Sequence, residues 1–239
     1  MNLLLALKIE DKNKNVINKK YLGDSKWTCD MLELQDDLKS ELVYPPVQVS
    51  RIQKEQRNWT DRENGFVCLG RIVQSKNILR NISIIEELRK QGYGVHLHIM
   101  GFAGDTNYRF KIEERIKVLD YIYFEGELSY EKMIRIIGRH RYGIHGQDFE
   151  HFGIVVAEMV AGGVIPFVPD SGGQVEIVNN LDLLIYGNRT EAVQKIKTVL
   201  DDEEIQIDLY NRLQGNIGRF IKSVFNDNIN GSIEKMLER

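Results

Sequence analysis

Two glutamates, Glu150 and Glu158, close the ends of the run "EHFGIVVAE", with seven mostly apolar residues between them. A carboxylate can accept hydrogen bonds from ligand hydroxyls or balance a cation. Left unpaired in an apolar helix, it pays several kcal/mol or gives up its charge through a pKa shift. The partner expected for Glu158 is therefore either a pair of ligand hydroxyls or an internal Arg or Lys. Arg71 and Lys76 follow "FVCLG", with Gly70 ahead of them to let backbone approach closely. Two cations at a helix start, where free amides also point outward, suit a diphosphate; the other reading is a solvated charged turn. In "PDSGGQVEIV", Ser171, Gly172 and Gly173 form a small-residue loop ahead of Glu176. Its amides suit a sugar or phosphate, and the same residues equally make a tight turn.

Other chemistries are poorly served. There is no Walker A element, no G-x-G-x-x-G, no H-E-x-x-H and no Ser-His-Asp ordering. His96 and His98 share one strand face, but no third ligand stands at metal spacing, so packing or surface roles are favoured. His145 and His151 flank the first glutamate, where either could touch a ligand. Cys29 and Cys68 lie far apart and read as reduced, structural thiols of a cytosolic protein.

These residues need a frame that gathers loops. From Gly65 onward, β-rich runs alternate with helix-period segments: "GFVCLG", "VHLHIMG", "YIYFEG", "RYGIHG", "VIPFVP" and "DLLIYG" read as strands. The intervening "NILRNISIIEELRKQG", "NYRFKIEERIKVLD", "SYEKMIRIIGRH" (Ser129 as N-cap) and the "FGIVVAEM" segment read as helices. Such alternation implies right-handed crossovers and a parallel, doubly wound, Rossmann-like α/β sheet. Ligands of such sheets bind beyond the carboxyl ends of the strands, where Arg71, Glu150 and the glycine pair fall. The helix containing Glu158 is expected to start near Phe152 or Gly153. That leaves Glu150 in the loop ahead of it and turns the amides of Phe152, Gly153 and Ile154 toward an anion.

Ahead of this frame, "MNLLLALKIEDK" reads as a strand, its apolar run too short for a signal peptide or a membrane span. "SKWTCDMLELQDDLKS" reads as a helix capped by Ser25. "ELVYPPVQVS" is extended by its two prolines, and "RIQKEQRNWTDREN" is a linker or edge segment. With 239 residues, 42% hydrophobic and 28% charged, and a net charge of -3, the chain offers neither a basic field for nucleic acid nor a polybasic membrane patch. Small-molecule chemistry is the remaining default.

Taken in order, these pieces resemble the C-terminal, donor-binding domain of the retaining glycosyltransferases of family 4, which have the GT-B fold. The match rests on Gly70, Arg71 and Lys76, on the Glu-x7-Glu run Glu150 to Glu158, and on the following "MVAGGVIPFVPDSGGQVEIV". "HIMGFAGD" and "YFEGELSYEKM", with Gly126, add to it. The resemblance implies that Arg71 and Lys76 hold the donor diphosphate and that Glu150 meets sugar hydroxyls beside the transferred carbon. By the same resemblance Glu158 binds the ribose, and Gly126, His151, Phe152, Gly153, Ile154, Gly172 and Gly173 join the donor site.

It also implies a sugar transferred with retention from a nucleotide sugar, GDP-mannose or a UDP-sugar, to a glycan or lipid-linked acceptor without a bound metal. The implied location is cytoplasmic, with peripheral contact at the inner membrane face. Residues 1–60 would be a remnant of the acceptor domain and linker, 61–215 the donor domain, and 216–239 a helix packing back on the remnant. A complete member has a full acceptor domain ahead of the donor domain. This chain would need that half from elsewhere, for instance a second chain, or would serve as a nucleotide-sugar-binding module without turnover. His145 and Gly146 stand where many members carry a Pro-Ser pair.

Overall fold

The computed structural model describes residues 5–11 and 16–237, with side chains from Lys20 onward. Strands β1 (Leu5–Asp11) and β2 (Val16–Gly23) pair antiparallel, and after helix α1 (Lys26–Asp36) strand β3 (Ser40–Leu42) joins β2 in parallel. Ser25 caps α1 by accepting from the Thr28 amide, which satisfies one of the amides that a helix start leaves open. Across the stretch read from sequence as a linker or edge segment, the chain forms helix α2 (Val49–Gln53), which starts just ahead of it, and a 3-10 turn at Trp59–Asp61. The reason lies in Ile52 and Arg62, both buried. The Arg62 guanidinium donates to the carbonyls of Arg57, His140, Gly162 and Gly163, closing backbone groups that would otherwise be buried unpaired.

The main sheet follows: β4 (Glu63–Leu69), α3 (Ile78–Lys90), β5 (His96–Met100), α4 (Thr106–Ile116), β6 (Ile122–Gly126), α5 (Tyr130–Arg139), β7 (His140–Ile144), α6 (Ile154–Ala161), β8 (Ile165–Pro169), α7 (Gln174–Ile177) and β9 (Ile185–Tyr186). The strand order is β6-β5-β4-β7-β8-β9, every pairing parallel. This is the doubly wound arrangement expected from the sequence. The order reverses between β4 and β7, so the crevice opens at their carboxyl ends. "DLLIYG" contributes only two strand residues, because Asp182–Leu184 winds into a 3-10 turn first.

The core mixes aliphatic and aromatic side chains and lies on both sheet faces: along β4, Phe66 and Cys68 join one cluster while Val67 and Leu69 join another. Phe66, Leu97, Ile99, Tyr142, Ile144 and Phe167 from the strands pack against Ile82, Ile85, Val156 and Val160 from the helices. Continuous burial of β8 is what a central parallel strand covered on both faces requires.

Helices α8 (Arg189–Leu200), α9 (Glu203–Asn216) and α10 (Lys222–Leu237) complete the chain. The last of these and the 3-10 turn Ile217–Phe220 ahead of it lie against the amino-terminal segment. Lys235 Nζ lies 3.6 Å from Glu41 Oε1, Val47 N–H donates to the Phe220 carbonyl, and Tyr44 packs edge-on against Phe220. Both cysteines are free, and burial pushes the Cys68 thiol up to about 11, which keeps it protonated and inert.

Candidate functional site

Two glycines set the floor of the crevice. Gly70 ends β4 at φ +132°, and Gly101 ends β5 at φ +154°. A Cβ on Gly101 would lie 1.7 Å from the Gly70 carbonyl oxygen, so the tips of β4 and β5 touch only because Gly101 carries no side chain. Beyond them opens a cleft of about 390 Å³, lined by Gly70, Arg71, Lys76, Phe102, Glu127 and Val155 among others. Arg71 is exposed there, and its side chain makes no ion pair or hydrogen bond among the described residues. Its guanidinium is available to a ligand anion.

Lys76 is differently placed. Its Nζ donates to Glu150 Oε2 at 2.6 Å, and His145 Nε2 lies 3.4 Å from the same oxygen. All three side chains are largely shielded from solvent: Lys76 is 14% exposed, His145 2% and Glu150 17%. Burial works to raise the Glu150 carboxyl. The nearby His145 imidazole and then the Lys76 charge outweigh it and hold the carboxyl at about 2. Burial in turn pushes the His145 imidazole down, against the pull of Glu150. Glu150 is thus a fixed anion at any physiological pH. It can accept from sugar hydroxyls or face developing positive charge, but it cannot donate a proton.

The loop carrying Glu150 is held from three sides. Asn77, the αL residue ahead of α3, donates to the Gly146 carbonyl at 2.9 Å and to Asp148 at 3.1 Å, and Arg80 pairs with Asp148 at 3.0 Å. The Phe149 amide donates to Ser171 Oγ, with Phe149 itself at φ +54° and its side chain exposed. Glu150 then forms a parallel bridge with Gly172, and the Gly173 amide donates to the Glu150 carbonyl at 2.8 Å. A Cβ on Gly172, at φ +84°, would sit 2.2 Å from the Glu150 carbonyl oxygen. The glycine pair therefore fixes the backbone of the carboxylate loop. Asn77, Arg80, Asp148 and Gln174, which bonds the Gln147 and Ser171 carbonyls, escaped the sequence reading. Their only sequence signal is a polar side chain next to a turn.

Gly153, at φ +100°, is the N-cap of α6 with no capping side chain. The first α6 amides have no intrahelical acceptor and are open to an anion. Phe152 offers only its backbone, since its ring is buried against Tyr44 and Phe220. Ile154 is half exposed at the helix start. His151 turns toward the amino-terminal segment: its carbonyl accepts from Ser25 Oγ and its ring meets Trp27 edge-on. Glu176 is also engaged there, accepting from the Lys26 and Trp27 amides at 3.0 and 2.9 Å and from Tyr44 Oη at 2.8 Å. Gly126, at φ +64°, ends β6, and its carbonyl accepts from the Gly101 amide.

Glu158 lies little more than one turn inside α6. Among the described residues no Arg, Lys or His pairs with it, so the internal-cation reading does not hold. Burial raises its carboxyl to about 7, and the nearby Tyr130 hydroxyl counters this only in part. The Tyr130 hydroxyl itself is buried without a hydrogen bond of ordinary geometry. A half-neutralised carboxyl beside an unpaired hydroxyl is suited to accepting and donating to a pair of ligand hydroxyls.

With this geometry in place, comparison with known proteins defines the class. Residues 49–217 match the family described as Glycosyl transferases group 1, and the chain belongs to it. It is 26% identical over 203 residues to the GDP-Man:Man(3)GlcNAc(2)-PP-Dol alpha-1,2-mannosyltransferase of Dictyostelium discoideum, covering 78% of this chain and 40% of the relative. The protein of the same description in Caenorhabditis elegans is 24% identical over 217 residues, covering 82% of this chain and 46% of the relative. The chain thus spans less than half the length of either.

Among solved structures, a glycosyltransferase from Rickettsia africae superposes with a TM-score of 0.79 at 15% identity, covering 92% of this chain and 64% of that one. An Anabaena protein in complex with UDP and glucose gives 0.75 at 16% identity, covering 89% and 62%. These likenesses establish the GT-B-type, Rossmann-like fold.

Proposed function

We propose that this chain is the donor-binding half of a hexosyltransferase that moves mannose from GDP-mannose to a lipid-linked glycan with retention of configuration. The observation that carries the reading is the Lys76–Glu150–His145 cluster at the strand-order reversal, with the unpaired Arg71 on one side and the unpaired Glu158 on the other. Arg71 and the α6 amides would meet the diphosphate, and Lys76 would share its charge between Glu150 and the departing phosphate. Preorganised cations of this kind stabilise the negative charge that grows on a nucleoside diphosphate as it leaves. Glu150, ionised throughout, would hold sugar hydroxyls and face the positive charge developing on the ring. Glu158 and Tyr130 would take the ribose. No step of this scheme calls for a metal at the donor site.

The choice of donor and acceptor is supported by the names of the relatives, which share GDP-mannose and a dolichol-linked acceptor. In this reading residues 1–60 belong to the acceptor domain and the linker, 61–215 bind the donor, and 216–239 strap the two. The remaining acceptor surface would come from further polypeptide, in the same protein or a second chain. No helix among the described residues is long and apolar enough to cross a membrane. A cytoplasmic, peripheral placement at a membrane carrying the acceptor is consistent with that.

Calorimetric titration with GDP, UDP and ADP tests the donor site directly. GDP should bind most tightly, and Arg71→Ala should weaken it at least tenfold. If no nucleotide binds more tightly than about 1 mM, equivalent to about -4 kcal/mol, the donor-site reading is wrong.

A further inference from the structure

At the opposite rim of the main sheet, where the strands begin, three imidazoles meet. His96 and His98 lie on β5, as sequence spacing indicates, and the fold adds His140, the first residue of β7. One ring nitrogen from each lies within 4.8 Å of the others. His96 Nε2 and His140 Nε2 are 3.0 Å apart, and Glu63 Oε2, from the first residue of β4, is 3.6 Å from the former and 3.7 Å from the latter. We propose that His96, His98, His140 and Glu63 form a binding site for one divalent cation of the zinc type, independent of the donor site.

Three features argue for a built site over ring packing. The first is the path between the rings. Strand β4 runs between β5 and β7, and His96 reaches His140 only across Gly65. A Cβ at Gly65 would stand 2.2 Å from His96 Nε2, so any other residue there would part the histidines.

The second feature is the orientation of the ligands. His140 Nδ1 lies 2.6 Å from the Ile136 carbonyl, which can only accept, so Nδ1 carries the proton and the Nε2 lone pair faces the cluster. His98 Nδ1 lies 2.7 Å from Glu125 Oε1, leaving its Nε2 for a metal. A carbonyl behind one imidazole and a carboxylate behind another are the outer partners that orient metal-bound histidines.

The third feature is charge. Arg139 occupies Glu63 Oε1 at 2.6 Å and leaves Oε2 to the histidines. Arg139 and Arg89 are the cations nearest the cluster; Glu63 and Glu125 offset them. Three imidazole nitrogens and one carboxylate oxygen make a tetrahedral set suited to Zn²⁺, whose bonds of about 2.1 Å place ligand atoms roughly 3.4 Å apart. The His96–His140 pair is already near that spacing, and His98 closes on it by a small ring movement. His96 and His98 are partly exposed, so an ion can enter from solvent. Bound there, it would tie the beginnings of β4, β5 and β7 together, at the far end of the strands from the donor crevice.

The untagged chain, stripped with chelator, is titrated with Zn²⁺ by calorimetry and with Co²⁺ by visible absorption. One ion per chain with submicromolar affinity and a tetrahedral Co²⁺ spectrum are expected. His96→Ala and His98→Ala should each weaken binding at least tenfold, and Glu125→Gln by about tenfold through the lost outer partner. GDP affinity should stay unchanged in all three. Zn²⁺ binding weaker than about 100 µM, or binding that survives the double His96→Ala/His98→Ala change, overturns the proposal. Should the alanine variants fail to fold, the stoichiometry and Co²⁺ spectrum of the native chain, with the Glu125→Gln affinity, decide it alone.

Discussion

Glu150 and Glu158 flank one helix, yet their surroundings push them in opposite directions. Glu158, raised from 4.5 to about 7 chiefly by burial, is protonated in the folded chain at pH values where the unfolded chain has already ionised. Its contribution to stability is fully present below pH 4.5 and is lost as pH rises toward 7, because folding then costs either a proton or a buried charge. Glu158→Gln should therefore stabilise the chain at pH 8 by roughly 1–3 kcal/mol, with most of the gain gone by pH 5, as read by urea unfolding at both values. On the proposed reading, in which Glu158 takes the ribose, the same variant should bind GDP about tenfold more weakly. Glu150 is the reverse case: held at about 2 by His145 and Lys76, it adds stability above pH 4.5 that is lost as pH falls from there toward 2.

At the scale of elements, the site is made by loops that lock one another. The carboxylate loop after β7 rests on the glycine loop after β8 through the Glu150–Gly172 bridge. Gly172→Ala adds a Cβ that collides with the Glu150 carbonyl and forces a side chain into φ +84°. It should cost roughly 1–3 kcal/mol and weaken GDP binding through displacement of Glu150, whereas Gly215→Ala, in open space on α9, should leave GDP binding unchanged. Equal nucleotide affinity in the two variants would show that the bridge does not position the site. The helix boundaries around these loops were legible in the sequence because their signals are local. Ser25 and Ser129 cap as their types suggest, and the glycines at Gly153 and Gly70 mark the turns. The linker was misread because Arg62 looks like a solvated charge. Only the fold brings four carbonyls to it.

At the scale of the molecule, the amino-terminal segment and the main sheet are joined by ring packing of Tyr44 on Phe152 and Phe220 and by a few polar contacts. Glu176, on the glycine-rich turn, accepts from the first amides of α1, and Tyr44 completes the set, its hydroxyl pushed up to about 12 by burial and then by Glu176. A carboxylate at a helix start contributes both as cap and as counter-charge to the helix dipole. Glu176→Ala should cost about 1–2 kcal/mol, read as faster amide exchange in α1 with little change in β4 or β7. Uniform loss of protection would mean that the two parts unfold as one.

The order of strands and helices, the parallel sheet, the placing of Arg71, Lys76 and Glu150 beyond strand ends and that of Glu158 within a helix follow from residue order, because periodicity, caps and turn glycines act over a few neighbours. Which partners those side chains meet was decided by tertiary structure alone. Lys76 and Glu150 pair across 74 positions of chain, while Glu158 finds no cation. His151 and Glu176 turn toward the amino-terminal segment. His140 joins His96 and His98 across a glycine. Pairing depends on the distance between strands side by side in the sheet, and spacing along the chain carries no record of it.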